Sequence, residues 1–439
     1  MRVVFLNRYF YPDHAPTSVL LSDLAFALSK RGVSVTVITS RLRYDGSSRQ
    51  LASRERIQDV DVHRVWTSRY GRAGLFGRSL DYASFYFAAA FRLWWAAGRW
   101  DIIIAKTDPP LLSLMAAGIA RLRGARLVNW LQDIFPEVAM ALRLGGSVGR
   151  LGFGLIRPLR NWSLNSATTN VVVGASMAKH LEKEKIPTEK IRLIRNWADG
   201  TLISPIGAAE NQIRNSWQLK DRFVVGYAGN FGRAHDLGTI VSAMTLLHEQ
   251  ALKAAEDDIV RRISFAFVGG GAQFPILERE IVQRHLANVQ IHPYQPQERL
   301  SETLGVADVH LVSLNPEVEG FIVPSKFYGI AAAGRPVLFI GAAEGEIARL
   351  IDQAVCGFNV ATGDGQALKD RILQLAKDPE LRAAMGARAR SAFEQHWEKS
   401  RAIGEWAELL RLVSVKKTSS TVRRWPTTTD KLCDKRSAQ

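Results

Sequence analysis

The sequence predicts two doubly wound α/β domains, and three observations lead there. Short apolar, β-branched runs alternate with longer stretches of helical periodicity. The alternation fills residues 1–196, breaks in a looser linker over 197–222, and resumes over 223–390. A chain of 439 residues also exceeds what one ordinary core serves and suits two domains of roughly 200 residues each.

The first strand is Arg2-Val3-Val4-Phe5-Leu6. Thr17 or Ser18 is placed to cap the following helix, whose apolar face carries Val19, Leu20, Leu24, Ala27 and Leu28. Gly32 ends that helix, and residues 33–38 return as a strand. This order makes a parallel strand pair with a right-handed crossover. Further strands of the first domain read at 102–105, 126–130 and 169–173. Those of the second read at 223–228, 264–268, 289–292, 309–314 and 336–340. Residues 391–413 read as a helix returning to the first domain, and 414–439 as a basic, disordered tail rich in Ser and Thr.

A composition of 47% hydrophobic and 23% charged residues is that of a globular chain. Cys356 and Cys433 form neither a disulfide framework nor a zinc motif and suit a reducing cytoplasm. The N-terminus shows no signal-peptide pattern, and no uncharged apolar run reaches the ~18 residues of a membrane span. A net charge of +16 attracts polyanions: nucleic acid, an anionic membrane or phosphorylated ligands. No groove-reading motif accompanies the charge, which argues against nucleic acid. Residues 80–100 gather Tyr82, Phe85, Phe87, Phe91, Trp94 and Trp95 between Arg78 and Arg99. Two readings stand: a core helix with an aromatic face, or a surface helix resting in a lipid interface. The basic balance favours the second.

Candidate chemistry concentrates in the second domain. Gly229-Asn230-Phe231-Gly232 follows its first strand, where close glycines let backbone approach a phosphate or simply make a turn. Gly269-Gly270-Gly271 follows the second strand with the same two readings, and it lacks the dinucleotide fingerprint. The most informative segment runs from Glu319-Gly320-Phe321 through Pro324-Ser325-Lys326 to Ala333-Gly334-Arg335-Pro336. Ser325 is placed to cap a helix ending at Gly334, and the Lys326 ammonium with the helix amides suits a diphosphate. Glu319 suits sugar hydroxyls; the bland alternative is a Glu319–Lys326 surface ion pair. In the first domain Asp133 and Glu137 follow the buried strand at 126–130, at the edge where α/β ligands bind. Each is a carboxylate for an acceptor hydroxyl or a helix-terminal charge. Asp108, and His14 after Asp13, lie at similar edges as acceptor contacts or turn residues.

The segment 319–337 resembles the signature of family-4 glycosyltransferases of the GT-B fold, and the similarity runs from the first strand to about residue 413. GT-B enzymes face two Rossmann-like domains across a cleft. Within the family the chain is similar to enzymes of O-antigen, capsule and colanic-acid assembly, fucosaminyltransferase-like members among them. The resemblance implies that Glu319 binds donor-sugar hydroxyls, with the Gly320 and Phe321 amides beside it. It implies that Lys326 neutralises the diphosphate, that Gly229 and Asn230 lie near the phosphates, and that Arg195-Asn196 marks the hinge. It also implies transfer from a nucleotide sugar, UDP preferred, to a lipid-linked acceptor, with retention and with a donor phosphate oxygen taking the acceptor proton. The enzyme would sit peripherally on the anionic inner face of the cytoplasmic membrane, with no metal or cofactor.

Four positions depart from the family pattern. Gly329 stands where relatives carry a ribose-binding glutamate. Asn230 and His235 stand at a basic pair, with Arg233 as a candidate substitute. Ala15-Pro16 replaces a glycine pair, and Gln132–Glu137 stands where many relatives carry a histidine. A non-hydrolysing nucleotide-sugar epimerase, which shares the architecture, and a basic nucleic-acid-binding protein are the rival readings.

Overall fold

The computed structural model describes residues 1–13, 15–44, 51–71, 75–144, 146–256 and 258–415. His14 and the basic segment from Lys416 onward lie outside the described residues.

Eight strands form the first sheet: β1 (Arg2–Leu6), β2 (Ser34–Ser40), β3 (Arg54–Ile57), β4 (Val60–Val65), β5 (Ile102–Lys106), β6 (Arg126–Leu131), β7 (Thr169–Val172) and β8 (Ile191–Leu193). Their order is β3-β4-β2-β1-β5-β6-β7-β8, parallel throughout except for the β3–β4 pair. Six parallel strands form the second: β9 (Phe223–Asn230), β10 (Ile263–Gly270), β11 (Val289–His292), β12 (Val309–Ser313), β13 (Val337–Ile340) and β14 (Gly357–Val360). Their order is β11-β10-β9-β12-β13-β14.

Central strands are apolar on both faces because helices cover both. Val3 and Phe5 pack under the helices Pro16–Lys30 and Lys399–Val415, while Val4 and Leu6 pack under Leu75–Ala96 and Leu112–Arg123. The helix Lys399–Val415 crosses back to the first domain and buries Trp406 against Trp130, with ring centroids 4.7 Å apart. It begins at Lys399, later than the sequence suggested, because a π turn over Phe393–Trp397 and an extended Glu398 separate it from the helix Pro379–Ala392.

One apolar core runs through the domain junction. Leu131, Ile134 and Met177 of the first domain pack with Val318, Val323 and Phe327 of the second. Each sheet reverses its direction of winding at one point, between β1 and β5 and between β9 and β12. Crevices at such points are where α/β sheets bind ligands, and the loops leaving those strands carry the residues described next.

Two cap expectations fail. The first helix opens at Pro16, with Thr17 and Ser18 inside it, and the Ser18 hydroxyl donates to the Asp13 carbonyl instead. Ser325 holds the N-cap position of the helix Lys326–Ala332 but makes no side-chain cap bond. Its φ of −68° and ψ of −17° are helical, whereas a capping hydroxyl reaches back from extended backbone.

Candidate functional site: a cation cradle and an interdomain strap

The end of β9 and the end of β10 approach so closely that only glycine fits. Gly229 and Gly269 have φ of +116° and +136°. A Cβ on Gly269 would lie 2.3 Å from the Gly229 carbonyl oxygen, and one on Gly271 would lie 2.4 Å from Asn230 Oδ1. The bare backbone leaves room for the stem of Lys326: a Cβ on Gly229 would lie 3.0 Å from Lys326 Cε. The Lys326 ammonium lies 3.2 Å from His235 Nε2 and 5.1 Å from the centre of the Tyr227 ring. It has no ion-pair partner among the described residues, so the ion pair with Glu319 that the sequence left open does not form. Burial lowers its pKa to about 8. An ammonium withdrawn from water without a counter-charge is costly unless a ligand supplies one. Gly270 lies at the rim, where a Cβ would approach Tyr294 at 3.2 Å.

The other residues of the basic-pair region are placed differently. Arg233 is exposed, and its carbonyl accepts from Asn315 Nδ2 at 3.3 Å. The Asn230 carbonyl accepts from the Tyr227 hydroxyl at 3.0 Å. A side chain on Gly329 would begin against Leu304 and Ile203, at 3.5 and 3.8 Å.

Glu319, Gly320 and Phe321 form a strap across the cleft. The Phe321 carbonyl accepts from Ile134 N at 2.9 Å, and Ile322 makes an antiparallel bridge with Asp133. Glu319 Oε1 accepts from Glu346 N at 2.9 Å, and the carboxyl is raised by burial, against hydrogen bonds from Glu346 and Ser176. Glu319 is thereby tied to the start of the helix that carries Glu346. Gly320 turns the strap with φ of +82°.

Glu346 is the residue that sequence reasoning missed. It is 1% exposed and accepts from Ala175 N at 2.7 Å and Arg195 at 3.1 Å across the domain boundary, and from Arg349 at 3.0 Å within its own domain. No local signal announces it, because Ala175 and Arg195 stand 171 and 151 residues away. Asn196, the expected hinge neighbour, exchanges amide bonds with Gln132 at 3.0 Å.

In the first domain Asp133 stands at the end of β6. Its Oδ1 is out of contact with solvent and has no hydrogen-bond partner. Burial raises the carboxyl to about 6, against a hydrogen bond from Thr107. Thr107 and Asp133 line a partly open cavity of about 20 Å³ together with Phe135 and Arg160. Asp108 precedes a cis proline, and its carbonyl accepts from Arg8 N at 2.8 Å. Asp13 ties down a turn, accepting from Ala15 N at 3.1 Å and Tyr44 N at 2.6 Å.

Glu137 does not face an acceptor. It is buried and bound to Arg160, with Arg157 at 3.7 Å and His180 at 3.6 Å. Burial pushes its carboxyl up, but His180 and Arg160 outweigh that and hold it below the usual range. Glu184 joins the same network through Arg157, whose hydrogen bond lowers its pKa to about 2. Glu137, His180 and Glu184 are close enough to hold a metal ion, but two guanidiniums already occupy the carboxylates.

Residues 17–197 match the glycosyl transferase 4-like domain, and residues 209–392 match the glycosyl transferases group 1 domain. The chain is a family-4 glycosyltransferase of the GT-B fold. This glycosyltransferase is 28% identical over 355 residues to the probable glycosyltransferase WbjE of Pseudomonas aeruginosa, covering 80% of this chain and 84% of that one. It is 27% identical over 292 residues to the putative colanic acid biosynthesis glycosyl transferase WcaI of Escherichia coli (strain K12), covering 64% and 68%. Its fold is that of Anabaena Alr3699/HepE, solved in complex with UDP and glucose, with a TM-score of 0.70, 15% identity, and coverage of 94% and 100%.

The outer face of the glycosyltransferase's first domain is unusually apolar. The helix Leu75–Ala96 buries Phe85, Ala89 and Leu93 but exposes Phe87, Phe91 and Trp95 at 78%, 71% and 68%. One side of the helix is thus the aromatic core face that the first reading expected, and the other is an exposed aromatic surface. The helix Gly146–Ser166 exposes Leu155, Leu159 and Trp162, a stripe at helical spacing absent from the sequence reading. Between them, Leu112–Arg123 exposes Arg121 and Leu122. The three helices contain one acidic residue, Asp81, which is buried. No helix among the described residues is long and apolar enough to cross a membrane.

Proposed function

We propose that this glycosyltransferase moves a sugar from a nucleoside diphosphate, UDP preferred, to a hydroxyl of a lipid-linked saccharide acceptor. The observation that carries the reading is the half-buried Lys326 ammonium, without an ion-pair partner among the described residues and laid across bare glycine backbone at the β9–β12 crevice. Transfer breaks the anomeric C–O bond, whose electron pair leaves with the diphosphate, and forms a new C–O bond to the acceptor oxygen. The acceptor proton passes to an oxygen of the departing diphosphate, and the anomeric configuration is retained. Positive charge grows on the sugar and negative charge on the diphosphate, so a fixed cation at the leaving group lowers the barrier. Lys326 supplies it, with Gly229, Gly269 and Gly270 admitting the phosphates, and no metal is needed. Glu319, Gly320 and Phe321 border the sugar. Asp133, with one unpaired carboxylate oxygen, orients the acceptor hydroxyl.

The acceptor is held at the anionic inner surface of the cytoplasmic membrane by the aromatic and arginine-bearing face of the first domain, in the assembly of a cell-surface polysaccharide. The relative named for colanic acid biosynthesis and the fold shared with a protein solved with UDP and glucose support this reading. A thermal-shift panel with UDP, GDP, NAD and several nucleotide sugars tests it. Selective stabilisation by UDP species is expected, since saturation at about 100 times Kd adds about 2.7 kcal/mol. No shift with any nucleotide, in a folded sample, overturns it. Conversion of the donor to its epimer without acceptor favours the epimerase.

A further inference from the structure

We propose that His235 is a positioning residue for Lys326: a neutral imidazole that accepts a hydrogen bond from the ammonium and aims it at the diphosphate. The inference rests on the reading that Lys326 faces the donor diphosphate.

Hydrogen-bond direction fixes the ring's state. His235 Nδ1 lies 2.5 Å from the Ser313 carbonyl oxygen, which only accepts, so Nδ1 carries the proton. In a neutral imidazole Nε2 then offers a lone pair. Lys326 Nζ, 3.2 Å away, has only donors, so the contact is a hydrogen bond from lysine to histidine. A protonated ring would set two cations side by side in a buried site. Burial, followed by the Lys326 charge, holds the ring's pKa down at about 3, in keeping with that geometry. The ionisable groups facing the ring are Lys326 and the Tyr227 phenol, whose ring lies edge-on at 6.2 Å.

The imidazole is itself held rigidly. Gln273 Nε2 donates to the His235 carbonyl at 3.1 Å, and Asn315 N donates to the Ala234 carbonyl at 2.8 Å. Phe231 packs against the ring at 5.8 Å. His235 thereby couples the loop after β9 to the end of β12 and to the lysine that follows β12. A lysine side chain is flexible, and an acceptor that holds it before the ligand arrives removes that ordering from the binding step. The departure from the family's basic pair is then a change of role: position 235 directs the charge supplied by Lys326.

The test measures UDP and UMP affinity by calorimetry, with GDP and GMP in parallel, for the wild type, H235F, H235Q, K326A and H235F/K326A. H235F keeps an aromatic ring and loses both hydrogen bonds; H235Q keeps a donor and an acceptor. H235F is expected to weaken UDP roughly tenfold, the order of one hydrogen bond to a charged group, and to leave UMP unchanged. H235Q restores the affinity, and H235F adds nothing to K326A. The alkaline loss of UDP binding moves to lower pH in H235F, because the acceptor stabilises the charged amine. Equal effects of H235F in the wild-type and K326A backgrounds, or an unmoved pH profile, overturn the positioning role while leaving Lys326 in place. K326A binding UDP as the wild type does overturns the diphosphate reading and this inference with it. If H235F does not fold, H235Q carries the test through the pH profile: a limb near the wild-type pH supports the proposal, and a limb shifted as far as one unit opposes it.

Discussion

Two sites of the glycosyltransferase withdraw charge from water and treat it oppositely. Around Glu137, two carboxylates and two guanidiniums close on one another between helices of the first domain. At the β9–β12 crevice, a single half-buried ammonium lies beside a neutral imidazole, without a carboxylate partner among the described residues. The first pairs carboxylates with guanidiniums, although Glu137 Oε2 and Arg160 Nε and Nη1 keep no hydrogen bond, and the second has no ion-pair partner among the described residues. A buried ion network whose charges balance holds helices in place, whereas a cation without a counter-charge at a ligand crevice is positioned to meet an anionic ligand.

The comparison breaks first at Glu137. Glu137→Ala removes the nearer partner of the buried Arg160 guanidinium and leaves it only Glu184 at 3.6 Å, so unfolding free energy is expected to fall by about 3 kcal/mol, read by urea denaturation. UDP affinity of the folded protein stays unchanged; a loss of UDP binding at native conditions would make the network part of the site. Lys326→Ala does the reverse. Turnover is expected to drop roughly 10²–10³-fold, about 2.7–4 kcal/mol in the transition state, with little change in Tm.

Acidity separates the two clusters further. Lys326 has a pKa of about 8 in the fold against an ordinary 10.5. Between those values the unfolded chain holds a proton that the folded chain has lost, so this group adds stability as pH rises from 8 towards 10.5. UDP affinity falls over the same window. Glu184 acts at the other end: with a pKa of about 2 against 4.5, its contribution is present above 4.5 and is lost as pH falls towards 2. Denaturation across pH, comparing the wild type with Lys326→Met and Glu184→Gln, reads both; a Lys326→Met difference that stays flat between pH 8 and 10 contradicts the buried ammonium.

The smallest effect belongs to the outer face. Arg121→Gln should weaken binding to anionic vesicles by about 1 kcal/mol, roughly fivefold, and leave binding to neutral vesicles alone. Equal loss on both would assign that face to something other than anionic lipid.

Much of this contrast is legible in the sequence on one side only. The central strands of both sheets stand out as apolar runs because both their faces are covered, and Gly229, Gly269 and Lys326 sit at strand ends and a helix start that the strand order brings together. The hairpin of β3 and β4 escapes notice because β3 is a short edge strand, Arg54-Glu55-Arg56-Ile57, whose turn places Gln58 and Asp59 at positive φ without glycine. Short β8 and β14 hide for the same reason. Glu137 looked like a ligand carboxylate because nothing local shows that Arg157, Arg160, His180 and Glu184 converge on it. Helical spacing pairs Arg157 with Arg160 and His180 with Glu184, but only packing brings the pairs together. Glu346 and Glu319 are likewise defined by the domain junction, which exists only once both domains have folded.

The most direct test of the central claim is calorimetric titration of UDP and UMP into the wild type and Lys326→Met at neutral pH. The account predicts that UDP binding weakens at least about tenfold in the variant while UMP binding is unchanged, because the ammonium meets the phosphate that UMP lacks. Equal UDP affinity in the two proteins, with the variant folded, would contradict it.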